Sequence, residues 1–165
     1  MSTSTNDIAA GDLAAAPALR FIGVARTPWY AGDCPKNIRE ARERNRPALI
    51  AIAPAYRAGL AGITRASHLI LLGWFGDARR DTLVVHPPHL AHPHGVFALR
   101  APVRPNPIAV SIVAQIGSDL TAGTIEIDAL DWYDGTPLLD IKPYYASIDA
   151  IPDAVTVDQR ADPST

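Results

Sequence analysis

The sequence has almost no cysteine and no long apolar run. Its one cysteine, Cys34, excludes an internal disulfide framework and is typical of a reducing compartment. The first residues carry neither the basic region nor the apolar core of a secretory signal, and no apolar run approaches the ~20 residues that a membrane-spanning helix needs. The sequence therefore predicts a cytoplasmic protein that is neither secreted nor inserted in a membrane.

An excess of charge of one sign is also lacking. The formal net charge is −2, so no global field attracts polyanions, and any nucleic-acid contact needs a local basic patch. A helix predicted over residues 36–45 carries such a patch, with Arg39, Arg42 and Arg46 near one face. Because Glu40 and Glu43 lie among the cations at salt-bridge spacing, a solvated, ion-paired helix surface is the alternative. The basic residues of this segment are Lys36, Arg39, Arg42, Arg44 and Arg46.

Glycine-rich nucleotide cradles are missing. No strand is followed by Gly-x-Gly-x-x-Gly, and no Gly-x-x-x-x-Gly-Lys-Ser/Thr occurs, which argues against a Rossmann enzyme or a P-loop protein. The Gly-x-Ser-x-Gly elbow of hydrolases is absent too, and nothing pairs Cys34 with a histidine as a nucleophile.

What the sequence does contain is a series of short apolar runs separated by proline or glycine, which is typical of a β protein. We predict one mainly β domain over residues 18–153, a small closed antiparallel barrel with one or two short helices, between loose tails at 1–17 and 154–165. Residues 67–75 and 108–116 are nearly all apolar and are predicted to be covered on both faces, by the closed barrel or by a subunit contact. The predicted strands are 19–25, 48–53, 67–75, 82–86, 95–100, 108–116, 124–130 and 137–141.

Four histidines crowd a proline-rich loop, where they could supply imidazole ligands to a metal. A metal site also needs fixed geometry and partners that orient each ring, and nothing in the loop promises either. We therefore expect a solvated loop without metal and keep a small metal protein as an alternative. The four residues are His86, His89, His92 and His94.

A stiff, polar segment follows that loop. Pro102, Pro105 and Pro107 restrict the backbone and remove three donors, so Arg104 and Asn106 cannot lie inside a helix or a central strand. Such loops usually present side chains for a function.

Acidic residues then bracket an Asp-Gly turn, and several are expected to point to one side of a hairpin. Asp131 is the strongest candidate, because a carboxylate at a strand end can accept hydrogen bonds from ribose hydroxyls or a ligand amine. Arg100 could bind a carboxylate or a phosphate, or form an internal ion pair with an aspartate. The four acidic residues are Asp128, Asp131, Asp134 and Asp140.

Three motifs carry a family resemblance: SHLILLGWF from residue 67, GVFALRAPVRPNPI from residue 95 and LDWYDGTPLLDIKPY from residue 130. In order and spacing they resemble the TsaA-like (YaeB/TrmO) family of S-adenosylmethionine-dependent tRNA methyltransferases. The resemblance implies a dimeric β-barrel that methylates N6 of threonylcarbamoyladenosine at tRNA position 37.

The resemblance also implies a set of cofactor residues. Lys36 and Asn37 stand where the family has Arg-Gln, and Gly76 and Asp77 stand where it typically has His-Gln. The implied S-adenosylmethionine shell consists of Pro35, Lys36, Asn37, Gly76, Asp77, Arg100, Val110, Asp128, Ala129, Leu130 and Asp131.

Methyl transfer from a sulfonium requires orientation more than a dedicated nucleophile. Arg104, Asn106 and Lys142 are expected to position substrate, and Asp134 to accept a proton or hold the acceptor amine. The expected partner is the single-stranded tRNA anticodon loop, contacted by residues 36–46.

Longer family members continue after the ProTyr motif with a further domain, whereas this chain ends about twenty residues beyond it. We therefore expect altered RNA specificity, or another RNA or small-molecule acceptor. The rival interpretation is a barrel that binds the cofactor or RNA without turnover.

Overall fold

The computed structural model describes residues 18–88 and 90–155, and in them the fold is mainly β. Two short α-helices accompany the strands, together with 3₁₀ turns at Pro54–Leu60, Ile63–Arg65 and Val96–Ala98. The helices are α1 (Ile38–Glu43) and α2 (Ala146–Asp149). The strands are β1 (Gly23–Arg26), β2 (Ala48–Ile52), β3 (His68–Trp74), β4 (Val84–Val85), β5 (His94–Gly95), β6 (Ile108–Asp119), β7 (Thr124–Ile127) and β8 (Pro137–Pro143).

Six strands form one sheet in the order β1-β2-β7-β6-β3-β8, and every pairing is antiparallel. Because β8 pairs with both β3 and β1, the sheet closes on itself as a barrel and leaves none of the six without two neighbours. The mainly β, antiparallel fold expected from the sequence is confirmed.

In the barrel core, buried residues alternate with less buried ones along the strands. Every second residue of β2 and β7 is buried, and the register places Ile50 opposite Ile125 and Ala48 opposite Ile127. A one-residue slip would expose this entire set, so the pattern specifies the pairing. The largest fully buried side chains include Trp29, Ile50, Leu69, Leu71, Ile125, Ile127, Leu130 and Leu138.

Within the single chain, strand β6 is covered on one face, and the subunit contact expected as a possible cover of the other face stays a prediction. Ala109, Ser111 and Val113 are buried, but Ile108 and Val110 on the opposite face are 39% and 44% exposed. The apolar run reflects two surfaces, one facing the core and one facing outward. The sequence could not separate them, because both faces carry apolar side chains.

Helix α1 is shorter than the predicted 36–45. Asn37 caps its first turn by accepting a hydrogen bond from the Glu40 backbone at 3.0 Å. Asn45 ends the segment, since its φ of 49° lies in the left-handed region that asparagine tolerates better than most residues.

The strand predicted over 95–100 is wrong. Only His94–Gly95 forms a strand, paired with β4, and the chain then turns through a 3₁₀ segment in which Val96 is buried. The Arg104 side chain donates to the carbonyls of Val96 and Leu99, which a ladder would otherwise have used.

Some predictions fall outside the described residues. The tail at 1–17, most of the tail at 154–165 and His89 cannot be compared with the structure. Within the described ranges, no helix combines the length and the apolar character required to cross a bilayer.

Candidate functional site

A large cleft lies on the outward side of β6, with a volume of about 1330 Å³. Its walls come from three regions: the loop before α1, the end of β3 with the proline-rich segment, and the residues after β7. These regions are far apart in sequence, and only the barrel closure brings them together.

Most of the predicted site residues meet in this cleft. Asn106 and Lys142 do not line it, and Ala129 and Leu130 are buried in the core with 0% exposure. The predicted residues that do line it are Pro35, Lys36, Asn37, Gly76, Asp77, Arg100, Arg104, Val110, Asp128, Asp131 and Asp134.

The carboxylate of Asp131 lies in the cleft, where Ser111 Oγ donates to its Oδ1 at 3.2 Å. Burial raises the pKa of this carboxyl above its ordinary value, while the Ser111 hydrogen bond and the guanidinium of Arg100 act in the opposite direction. A half-buried carboxylate with one protein donor retains acceptor capacity for a ligand hydroxyl or amine.

Cys34 adjoins this carboxylate but does not supply a nucleophile. Its Sγ donates to the Asp131 carbonyl at 3.4 Å. Burial, followed by the negative charge of Asp131, raises the pKa of the thiol to about 11, so the thiol stays protonated at neutral pH.

Arg100 is exposed and lines the cleft. Among the described residues, no carboxylate lies within 4.0 Å of its guanidinium. The internal ion pair considered as an alternative for Arg100 is therefore not formed, and its donors remain available to an anionic group.

Helix α1 is held to β6 by Arg42. Its Nε donates to Asp128 at 2.7 Å and its Nη2 donates to the Ile112 carbonyl at 2.9 Å. Asp128 also accepts a hydrogen bond from the Ala114 backbone at 2.9 Å. The Asp128 carboxylate therefore already bridges a helix and a strand, which the sequence did not indicate.

We expect Arg42→Ala to lower the free energy of unfolding by about 1 kcal/mol, because it leaves Asp128 without its cationic partner. Arg39→Ala is the control on the same helix, since Arg39 is 85% exposed and meets Glu43 only at 4.0 Å. Urea denaturation measures both, and equal losses for the two variants would contradict the role given to Arg42.

The proline-rich wall contains Arg104 in an unexpected position. Its Nη2 donates to the carbonyls of Val96 and Leu99, while its Nε is buried without a hydrogen-bond partner. Part of the guanidinium therefore supports the loop. The buried Nε keeps an unused donor beside the cleft.

Two other predicted substrate residues are engaged elsewhere. Lys142 forms an ion pair with Asp140 at 2.6 Å and points away from the cleft lining. Asp134 accepts from the Thr27 backbone at 3.1 Å and faces Arg26 at 3.6 Å, so it closes the turn while lining the cleft.

The histidine loop shows no metal geometry in the part of the chain that is described. His94 Nδ1 lies 2.8 Å from the His92 carbonyl, and His86 Nε2 lies 3.3 Å from the Leu90 carbonyl. No cluster of three or more ligating side chains occurs among the described residues.

The predicted basic face of α1 is wrong in part. Arg42 turns to Asp128, and Arg46 lies beyond the helix with its guanidinium 5.1 Å from the Trp29 ring centroid. The i,i+4 ion pairs are confirmed, with Arg44 meeting Glu40 at 2.6 Å. All five cations of the segment are nevertheless exposed.

Sequence reasoning missed the aromatic walls of the cleft. Trp74 ends β3 and Tyr133 precedes the Asp-Gly turn, and both line the cleft. Their positions inside the family-like motifs were the available signal, but a tryptophan or tyrosine in a strand-rich sequence is equally typical of a core.

Comparisons with known proteins decide the family. The model of the tRNA-methyltransferase O N-terminal domain matches residues 24–150. The chain belongs to this family. The match spans the barrel and every cleft-lining segment named above.

Two relatives of this family come from Archaeoglobus fulgidus. One, named "Probable S-adenosyl-L-methionine-binding protein", is 41% identical over 140 residues, which is 82% of this chain but only 36% of that protein. Another, named "S-adenosyl-L-methionine-binding protein", is 37% identical over 134 residues, 81% of this chain and 93% of that protein.

A solved structure agrees with the fold. The crystal structure of TrmO from Pseudomonas aeruginosa matches with a TM-score of 0.68 and 30% identity, covering 90% of this chain and 65% of that one. The chain thus spans just under two thirds of the TrmO chain in that structure.

Proposed function

We propose that this chain is an S-adenosylmethionine-dependent methyltransferase that acts on N6 of threonylcarbamoyladenosine at position 37 of tRNA. The observation that carries the proposal is the single cleft in which Arg100 and Asp131 face the same space, in a chain of the tRNA-methyltransferase O family. An unpaired guanidinium and a half-buried carboxylate together match a zwitterionic ligand.

The residues present fit S-adenosylmethionine. Arg100 offers donors to its carboxylate, and Asp131 offers acceptors to its amine or ribose hydroxyls. Val110 supplies an apolar surface for the adenine, beside Lys36 and Asp77 at the rim. When bound, this cofactor supplies a methyl group on a positively charged sulfur, which makes the group an electrophile.

The protein's own part is orientation and proton removal. Forming the new nitrogen–carbon bond breaks the sulfur–carbon bond, and the acceptor nitrogen gives up its proton. Asp134 is our candidate for that proton, since its carboxylate lines the cleft, where Thr27 donates a hydrogen bond to it and Arg26 lies 3.6 Å away. Arg104, which lines the cleft, is our candidate to hold the acceptor.

Exposed side chains near the cleft and on β6 are the basis for the partner surfaces that we propose. Lys36 is an exposed cation that lines the cleft, Arg39 is an exposed cation on the neighbouring helix α1, and Tyr133, which is 50% exposed, offers a ring for stacking an unpaired base. The outward face of β6, with Ile112 41% exposed, suits a second copy of the chain. The anticodon loop and a homodimer are thus our proposed partners.

A second candidate is a cofactor-binding or RNA-binding barrel without turnover. Several groups expected to handle substrate are occupied internally: Lys142 by Asp140, and Asn106 by Arg80. The relatives named as S-adenosyl-L-methionine-binding proteins favour this reading equally.

Calorimetric titration of the wild-type protein with S-adenosylmethionine tests the cofactor site. We expect saturable binding that Arg100→Ala weakens about 10-fold, because a charged hydrogen-bond donor is lost. Arg65→Ala is the control, since Arg65 is exposed and outside the cleft. The oligomeric state is measured on the same samples.

Transfer of a labelled methyl group to unmethylated tRNA then separates the two candidates. Label in threonylcarbamoyladenosine establishes the methyltransferase, whereas cofactor binding without label on any RNA contradicts the tRNA methyltransferase and favours the barrel without turnover. Absence of binding by folded wild-type protein would contradict both cofactor-based proposals.

A further inference from the structure

Arg80 lies outside the cleft but touches the two segments that form one of its walls. Its guanidinium stacks over Trp74, with 5.4 Å between the guanidinium carbon and the ring centroid. Its Nε donates to the Pro105 carbonyl at 2.7 Å, and its Nη2 lies 3.4 Å from Asn106 Oδ1. One side chain therefore joins the end of β3 to the segment that leads into β6.

The proline-rich segment needs such a side chain. A proline has no N–H, so a stretch with Pro102, Pro105 and Pro107 cannot be tied down by a regular backbone ladder. Its fixed points are carbonyls and side chains instead. Arg104 anchors the segment from within, and Arg80 anchors it from the opposite end.

The contacts of Arg80 affect the cleft through the residues next to them. Trp74 and Arg104 line the cleft on either side of the segment, whereas Pro105 and Asn106 do not. The contact with Arg80 also orients the Asn106 amide, because a guanidinium only donates and so faces the amide oxygen. The Asn106 side chain is thus held in place by Arg80 and is not free to contact substrate.

We propose that Arg80 is a positioning residue that holds the wall formed by Trp74 and residues 100–107 in the geometry that binds S-adenosylmethionine. This inference rests on the proposed function for its ligand. The tethering of residues 100–107 by Arg80 does not depend on any ligand.

The test compares Arg80→Ala and Arg80→Lys with the exposed Arg65→Ala. In the ligand-free proteins, hydrogen exchange of the Phe75 and Ile108 amides, which donate to the carbonyls of Pro107 and Asn106, is expected to be about 10-fold faster in Arg80→Ala, with β2 and β7 unchanged. In calorimetry, the dissociation constant for S-adenosylmethionine is expected to rise about 10-fold in Arg80→Ala and about 3-fold in Arg80→Lys. A lysine keeps the donor to Pro105 but cannot reach Asn106 and stack on Trp74 at once.

Unchanged exchange of the Phe75 and Ile108 amides overturns the inference whether or not the protein binds the cofactor. Faster exchange with an unchanged dissociation constant overturns it as well, since the tether would then have no effect on the cleft. If Arg80→Ala fails to fold, Arg80→Lys decides by the same two measurements. Wild-type protein that does not bind S-adenosylmethionine refutes the proposed function, a result that the exchange measurement keeps separate from the tether.

Discussion

Asp131→Ala is expected to weaken S-adenosylmethionine binding about 100-fold, which corresponds to about 2.7 kcal/mol. The substitution removes the half-buried carboxylate and leaves the Ser111 hydroxyl without its acceptor. Calorimetry measures the loss. Asp119→Ala is the matched control, because Asp119 lies at the far end of β6, caps the turn at Ala122 and is outside the cleft.

The Asp131 carboxylate determines whether the affinity for S-adenosylmethionine rises or falls with pH. Because burial raises the pKa of Asp131, the group takes up its proton above the value of about 3.9 that is usual for aspartate, and its attraction for a cationic ligand is lost as the pH falls. Wild-type affinity should fall from pH 7 toward pH 4, and Asp131→Asn should flatten the curve. A wild-type affinity that rises in acid would contradict the assignment.

Gly73→Ala is expected to lower the free energy of unfolding by about 3 kcal/mol, because it overpacks the barrel core. A Cβ at this position would lie 2.5 Å from Cζ3 and 2.7 Å from Cη2 of Trp132. That ring is only 2% exposed and packs edge-on against Phe75 with centroids 5.9 Å apart, so it has little room to withdraw. Chemical denaturation measures the change.

Gly59→Ala is the control, since nothing lies within 4 Å of a Cβ placed there. We expect its stability to stay within about 0.5 kcal/mol of wild type. In the double variant with Trp132→Phe, the smaller ring should recover part of the loss caused by Gly73→Ala. Additive losses would show that the Trp132 contact is not the cause.

Local patterns were predicted well where a few neighbouring residues decide the outcome. The alternation of apolar and polar residues in β7 matches its burial in the structure, with Ile125 and Ile127 buried and Glu126 exposed. The Glu40–Arg44 ion pair also follows directly from helical spacing. In both cases, the partners are adjacent on one element, so no tertiary information was needed.

Predictions failed where the outcome depends on a distant partner. The residues at 95–100 have strand-like composition, yet the Arg104 side chain takes the carbonyls of Val96 and Leu99. Asn106 and Lys142 looked like substrate groups, but Arg80 and Asp140 engage them. A side chain's partners cannot be inferred from residue type alone when several competing partners exist.

By itself, the sequence determined the antiparallel β class, the short strands and the family. These depend on residue spacing and on motifs that are contiguous in the sequence. Only the tertiary structure decided which groups share the cleft. Arg42 meets Asp128, which is 86 positions away in the sequence, and Thr27 meets Asp134, which is 107 positions away. Such pairs exist because β8 returns to pair with β1 and closes the sheet, and a closure between chain ends is set by the register of all six strands together.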